Sequence, residues 1–134
     1  MKELIIKSII FGAVKDELRE SVIEVIKNNK TAYEAAQDLG NINKQATIRN
    51  NIDKVIQAFN MLIYDEVASK VEPTDTHELV VYSEGGSTHY KNNLSTLLKY
   101  INYRKNLFEL EFEINKVRIE DNEVIESETV FSFR

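Results

Sequence analysis

The sequence predicts an α+β fold: an N-terminal three- or four-helix bundle followed by a small α+β lobe with an antiparallel β-hairpin. Three observations predict it. Through the first half, apolar residues recur at three- and four-residue spacing, the period of a helix. Near the C-terminus they alternate with polar ones, the period of a half-buried strand. Between these regions lies the single proline, Pro73, among Glu72, Thr74, Asp75 and Thr76, a composition that interrupts regular structure. The expected organisation is a helical lobe over 1–66, a linker over 67–76 and an acidic α+β lobe over 77–134. A chain of 134 residues suits one compact domain or two very small lobes.

Composition narrows the classes. Hydrophobic residues at 43% and charged residues at 29% match a globular protein and exclude collagen-like, disordered and mucin-like chains. Cysteine is absent, so there is no disulfide framework, thiolate metal site or cysteine nucleophile. Two histidines, His77 and His89, are too few for a His-rich metal centre, and no metal or cofactor is expected. The apolar stretch 4–11 is interrupted by Lys7 and falls short of the ~20 residues that span a bilayer. Lys15-Asp16-Glu17 follows it almost at once, unlike a signal peptide, so a cytoplasmic location is expected. Charge is uneven. Residues 1–63 hold nine basic and eight acidic groups, and 64–134 hold eight and fourteen. If one half touches nucleic acid, it is the first.

The elements follow in order. Residues 4–11 read as a separate short helix or a strand, with the helix preferred, set off by Gly12. Val14, Leu18, Val22, Val25 and Ile26 form one stripe of a helix over 14–27. Asn28-Asn29-Lys30 is a turn, because Asn tolerates left-handed backbone. Thr31-Ala32-Tyr33-Glu34 is a capping box, in which hydroxyl and carboxylate satisfy two orphan amides. Ala32, Ala35, Ala36 and Leu39 then give a small-residue face that lets another helix approach closely, and Gly40 suits the helix end. After the loop 41–43, Ile48, Ile52, Val55, Phe59 and Leu62 mark a long amphipathic helix over 44–62.

Beyond the proline, 77–82 reads as a strand and Glu84-Gly85-Gly86-Ser87 as a turn. Asn92 or Asn93 caps a helix through Leu94, Leu97, Leu98, Tyr100 and Ile101 to about Lys105. Phe108, Leu110, Phe112 and Ile114 alternate with Glu109, Glu111 and Glu113 as a strand. The phase slips near Asn115-Lys116, as at a bulge, and resumes with Val117 and Ile119. Asp121-Asn122 is a two-residue hairpin turn, with Ile125, Thr129, Phe131 and Phe133 on the return strand.

A small-residue helix, a glycine turn and an amphipathic helix with a cationic front are what a helix-turn-helix needs. Its second helix must present side chains to base edges in the major groove. Asn and Gln pair with adenine, Arg and Lys with guanine or phosphate, and a Thr methyl meets thymine. Lys44, Gln45, Thr47, Arg49, Asn50, Asn51 and Lys54 supply that inventory and are the candidate contacts to double-stranded DNA. The plainer alternative is a solvated face of a helical bundle.

Three stretches carry a family resemblance. VIKNNKTAYEAAQDLG (25–40) resembles the segment of plasmid TrfB-type transcriptional repressors that leads into their helix-turn-helix. Lys44-Gln45-Ala46 resembles the start of their recognition helix, and NNIDKVIQAF (50–59) is similar to its back. The resemblance spans about a quarter of the chain and departs at 41–43, where this turn is longer. It implies a homodimeric repressor reading a palindromic operator.

Other stretches point elsewhere. Basic and aromatic residues interleave from Lys99 through Tyr100, Tyr103 and Arg104 to Lys105, as in single-strand binders, but Leu97, Tyr100 and Ile101 fit a core face better, with Arg104 snorkelling at its end. The segment 84–89 lacks a phosphate-loop lysine. Ser87 and His89 stand two apart with no orienting acid implied, so a nucleophile pair is not expected. Glu109, Glu111 and Glu113 are expected on one strand face, extended by Glu126 and Glu128 on the neighbouring strand. The expected function is a sequence-specific DNA-binding transcriptional regulator of plasmid or phage type. The alternative is a non-enzymatic phage-type inhibitor or adaptor that binds a host protein through the acidic sheet and mimics nucleic acid. No paired acids in an apolar setting, metal spacing or nucleophile elbow suggests an enzyme.

Overall fold

The computed structural model of the chain describes residues 2–103 and 106–134. It is an α+β structure in two compact units, Met1–Phe59 with Arg104–Glu109, and Asn60–Tyr103 with Leu110–Arg134. The division falls inside a helix, not in the expected linker 67–76. The reason is that one helix runs past the boundary while its buried stripe changes core. Ile48, Val55 and Phe59 belong to the first unit, Ile63 and Val67 to the second.

The first unit contains α1 (Lys2–Ala13), α2 (Asp16–Asn28), α3 (Ala32–Asp38), a single 3-10 turn (Ile42–Lys44) and the start of α4 (Gln45–Ala68). Helix α1 buries Ile6 and Ile10. Helix α2 buries Leu18, Val22 and Ile26 and stops where Asn29 takes φ 57, the left-handed conformation Asn tolerates. The capping box opens α3 as expected: Glu34 N–H donates to Thr31 Oγ1 at 3.1 Å, and the Glu34 carboxylate accepts from the Thr31 N–H. Thr31→Ala removes that acceptor and lowers stability by about 1 kcal/mol in urea unfolding.

Two expectations change here. Helix α3 ends at Asp38, so Leu39 sits at its C-cap, 44% exposed, and is no core residue. The small face of Ala32, Ala35 and Ala36 is buried, but the close backbone approach of α3 is to α2. A face without side-chain bulk accepts whichever helix the chain brings to it, and the tight turn at Asn29 brings α2. Residues 106–109 also belong to this unit. Asn106 Nδ2 donates to the Lys27 carbonyl at 2.9 Å, while its Oδ1 accepts from the N–H groups of Phe108 and Glu109. Phe108 and Glu109 are therefore in a turn, not in the expected strand, and Leu107 is fully buried.

The second unit is a four-stranded antiparallel sheet in the order β2-β1-β3-β4, made of β1 (Thr76–Ser83), β2 (Gly86–Asn93), β3 (Phe112–Glu120) and β4 (Glu123–Phe133). Helix α5 (Leu94–Asn102) packs on β1 and β2, and its cap is the expected Asn93, whose Oδ1 accepts from Thr96 N–H at 2.9 Å. Its core gathers Leu79, Leu94, Leu97, Ile101, Phe112, Ile114, Phe131 and Phe133. The register of β3 against β4 shifts between Ile114 and Asn115, the expected slip, and again between Arg118 and Ile119. Asp121 and Asn122 close the hairpin with φ 51 and 64, as a type I′ turn requires. Strand β2 returns from the turn at 84–87, although no apolar alternation marks it in the sequence. It reads Gly-Ser-Thr-His-Tyr-Lys-Asn-Asn, with no buried side chain, and is held as an edge strand by pairing with β1 alone.

Candidate nucleic-acid interface

The entry to α4 is built locally. Gly40 takes φ 76, which leaves its N–H bonded to the Gln37 carbonyl and reverses the chain after α3. Asn41 Oδ1 then accepts from Asn43 N–H at 3.0 Å, an Asx turn that starts the 3-10 turn, and Lys44 N–H donates to the Asn41 carbonyl. This single turn replaces the expected loop and runs directly into α4.

The long helix divides cleanly. Ile48, Val55 and Phe59 are buried, and the opposite side is open. Among the candidate contacts, Lys44, Thr47, Arg49, Asn50 and Lys54 are exposed and Gln45 is half-buried. Thr47, Asn50 and Lys54 form one row at three- and four-residue spacing, continued by the exposed Gln57. Arg49 Nη2 donates to Gln45 Oε1 at 3.1 Å, so these two side chains stand together beside that row. Asn51 is the exception. It is 7% exposed, and its Nδ2 donates to the Thr47 carbonyl at 2.7 Å. It points away from the open face and does not join a base-reading set. The spacing foretold this, since Ile48, Asn51 and Val55 fall at i, i+3 and i+7 of the buried stripe.

Several cations elsewhere in the unit are engaged by carboxylates. Lys7, Arg19, Lys27 and Lys30 are each held in an ion pair. The Asp38 carboxylate, with Glu24 beyond it, raises the Lys30 ammonium above its ordinary range, and Lys27 with Lys7 holds the Glu3 carboxyl below its own. Among the described residues, no ion pair engages Lys44, Arg49 or Lys54. Asp53 is the one acid on the open side of α4 in the first unit.

The other candidates are dispersed. Strand β3 begins only at Phe112, so Glu109 and Glu111 lie before it and the three glutamates share no strand face. Glu113 instead contacts Arg134 at 3.5 Å, and that guanidinium covers the Tyr82 ring at 3.8 Å. Burial, with Glu113 nearby, raises the Tyr82 phenol above its ordinary range. Glu126 meets Arg118 at 3.5 Å, and Glu128 is exposed on β4. Leu97 and Ile101 are core, while Tyr100 stacks on Tyr90 at 4.5 Å. Arg104 and Lys105 lie outside the described residues. Among the described residues, no three His, Asp or Glu side chains gather to hold a metal ion, and no helix is long and apolar enough to cross a membrane. Comparison with protein-family models, with characterised proteins and with solved structures finds no match.

Proposed function

We propose that the chain is a sequence-specific DNA-binding transcriptional regulator of plasmid or phage type, acting in the cytoplasm with the start of α4 in the major groove. The observation that supports this best is the open face at the start of α4, where Arg49 and Lys54 on the helix and Lys44 in the turn before it make no ion pair among the described residues and stand near Thr47 and Asn50. Cations already neutralised by carboxylates release few counterions on a duplex, whereas free ones release theirs. Asn50 and Arg49 have the shapes that bond adenine and guanine edges, Gln45 supports Arg49, and Thr47 offers a methyl to thymine. Lys44 and Lys54 flank them as phosphate contacts. The resemblance to TrfB-type repressors adds a homodimer on a palindromic site.

Selection of bound sequences from a random duplex pool, followed by salt titration of the selected site, tests this. Arg49→Ala and Asn50→Ala each weaken the selected site by about 1–3 kcal/mol and relax one base position. Lys44→Ala weakens all duplexes alike and flattens the salt slope by about one. Asn51→Ala leaves base preference unchanged. No enrichment from the pool, or binding that does not respond to salt, overturns the reading.

A further inference from the structure

Strands β1 and β2 bring together three side chains whose partnership the sequence conceals. Ser87 and His89 stand two apart on β2 and so share a face of the sheet. Val80 lies opposite His89, and Glu78, two residues before it on β1, reaches the same face diagonally. Ser87 Oγ lies 2.9 Å from His89 Nε2, and His89 Nδ1 lies 3.4 Å from Glu78 Oε2. The order of groups is hydroxyl, imidazole, carboxylate. With the hydroxyl donating to Nε2, the ring proton sits on Nδ1 and faces the carboxylate, the tautomer a general base needs. The Glu78 side chain is 13% exposed, so the acid is sheltered, while His89 at 51% and Ser87 are open to solvent.

The backbone adds a donor. Tyr82, opposite Ser87 in the register, donates its N–H to the Glu111 carbonyl, away from β2. In an antiparallel ladder that makes Tyr82 and Ser87 a non-hydrogen-bonded pair, so the Ser87 N–H points to the open edge of β2. An oxygen on a carbon bonded to Oγ can reach that N–H, as charge develops on it.

We propose that Ser87, His89 and Glu78 form an acyl-accepting centre for small activated esters and thioesters. Ser87 Oγ bonds to the acyl carbon as the carbon–oxygen or carbon–sulfur bond to the leaving group breaks. The hydroxyl proton passes to His89 Nε2 and from there to the leaving alcohol or thiol. Water then attacks the acyl carbon, gives its proton to His89, and Ser87 recovers a proton as the acid departs. Glu78 is a positioning residue that fixes the ring tautomer. The face is open and has no walls to grip a large substrate, which limits it to donors chosen by reactivity. This centre lies in the second unit and stands apart from the DNA-binding reading, so either can fail alone.

The test is p-nitrophenyl acetate with the full chain, following p-nitrophenolate release and mapping acetyl groups by peptide mass. Ser87 is expected to take the acetyl group ahead of every lysine and tyrosine. Ser87→Ala and His89→Gln are expected to lower the release rate by at least about 100-fold, the worth of a positioned base. Glu78→Gln lowers it less, and Glu78→Asp restores part of the loss, which a purely structural role would not show. Thr88→Ala, whose side chain lies on the other face, reacts like the original chain. Circular dichroism confirms that each variant folds, and the mapping on the unaltered chain needs no variant. Release unchanged in Ser87→Ala, or release fully accounted for by acetyl groups retained on lysines and tyrosines, overturns the proposal.

Discussion

Phe112→Ala lowers the stability of the sheet unit by about 3–5 kcal/mol, measured as the free energy of urea unfolding with an unchanged denaturant slope. Phe112 is fully buried on β3, between β1 and β4. It pairs with Val81 on one side and Phe133 on the other. Its ring centroid lies 5.4 Å from that of Phe133 and 5.8 Å from that of Phe131. Truncation removes the transfer free energy of the ring, leaves a cavity between strands that cannot close, and breaks both aromatic contacts. Phe112→Leu keeps most of the volume and costs under about 1.5 kcal/mol. Total stability of a small protein is about 5–15 kcal/mol, so the alanine variant loses a large share of it. A loss below about 1 kcal/mol would show that the ring is not packed between these strands.

Phe59→Ala has a comparable effect in the first unit, about 3–5 kcal/mol. Phe59 is fully buried at the end of the stripe that α4 gives to that unit, after Ile48 and Val55. Alanine is the better helix former by a few tenths of a kcal/mol, which offsets little of the lost burial. Gln57→Ala, two residues earlier on the exposed side of the same helix, changes stability by no more than about 0.5 kcal/mol. The pair of variants reads the helix register directly. Equal effects would show that the buried stripe is misplaced, and with it the open face that carries Asn50 and Lys54. Amide hydrogen exchange in α2 and in the start of α4 locates the loss in the first unit.

Much of this architecture is legible in the sequence, and the legible parts share a cause. The capping box at Thr31 and Glu34, the left-handed Asn29, the Asn93 cap and the Asp121-Asn122 turn depend on bonds between residues within a few positions of each other. The stripe of α4 depends on the helix period alone, and even the inward turn of Asn51 was written in its spacing from Ile48 and Val55. The open face of α4 followed from the same period: Thr47, Arg49, Asn50 and Lys54 are exposed on it, and Lys44 is exposed in the turn before it.

The misreadings have the opposite character. Strand β2 has no apolar alternation and exists because β1 pairs with it. At 107–109 the Asn106 side chain overrides the alternation: its Oδ1 accepts from the Phe108 and Glu109 N–H groups, and its Nδ2 reaches the Lys27 carbonyl, 79 residues earlier. The glutamate run lost its shared face when β3 began three residues after Glu109.

By itself the sequence determined which stretches are helical, where several of them are capped, which side of each is apolar and where the chain can reverse, because steric and hydrogen-bonding preferences of neighbouring residues settle those points. Only the tertiary structure decided that α3 meets α2, that α4 serves two cores, and that Glu78 stands beside His89. Those outcomes need residues far apart in the chain to find one another, and the entropy of closing such loops is repaid by long-range packing and strand pairing that no local pattern records.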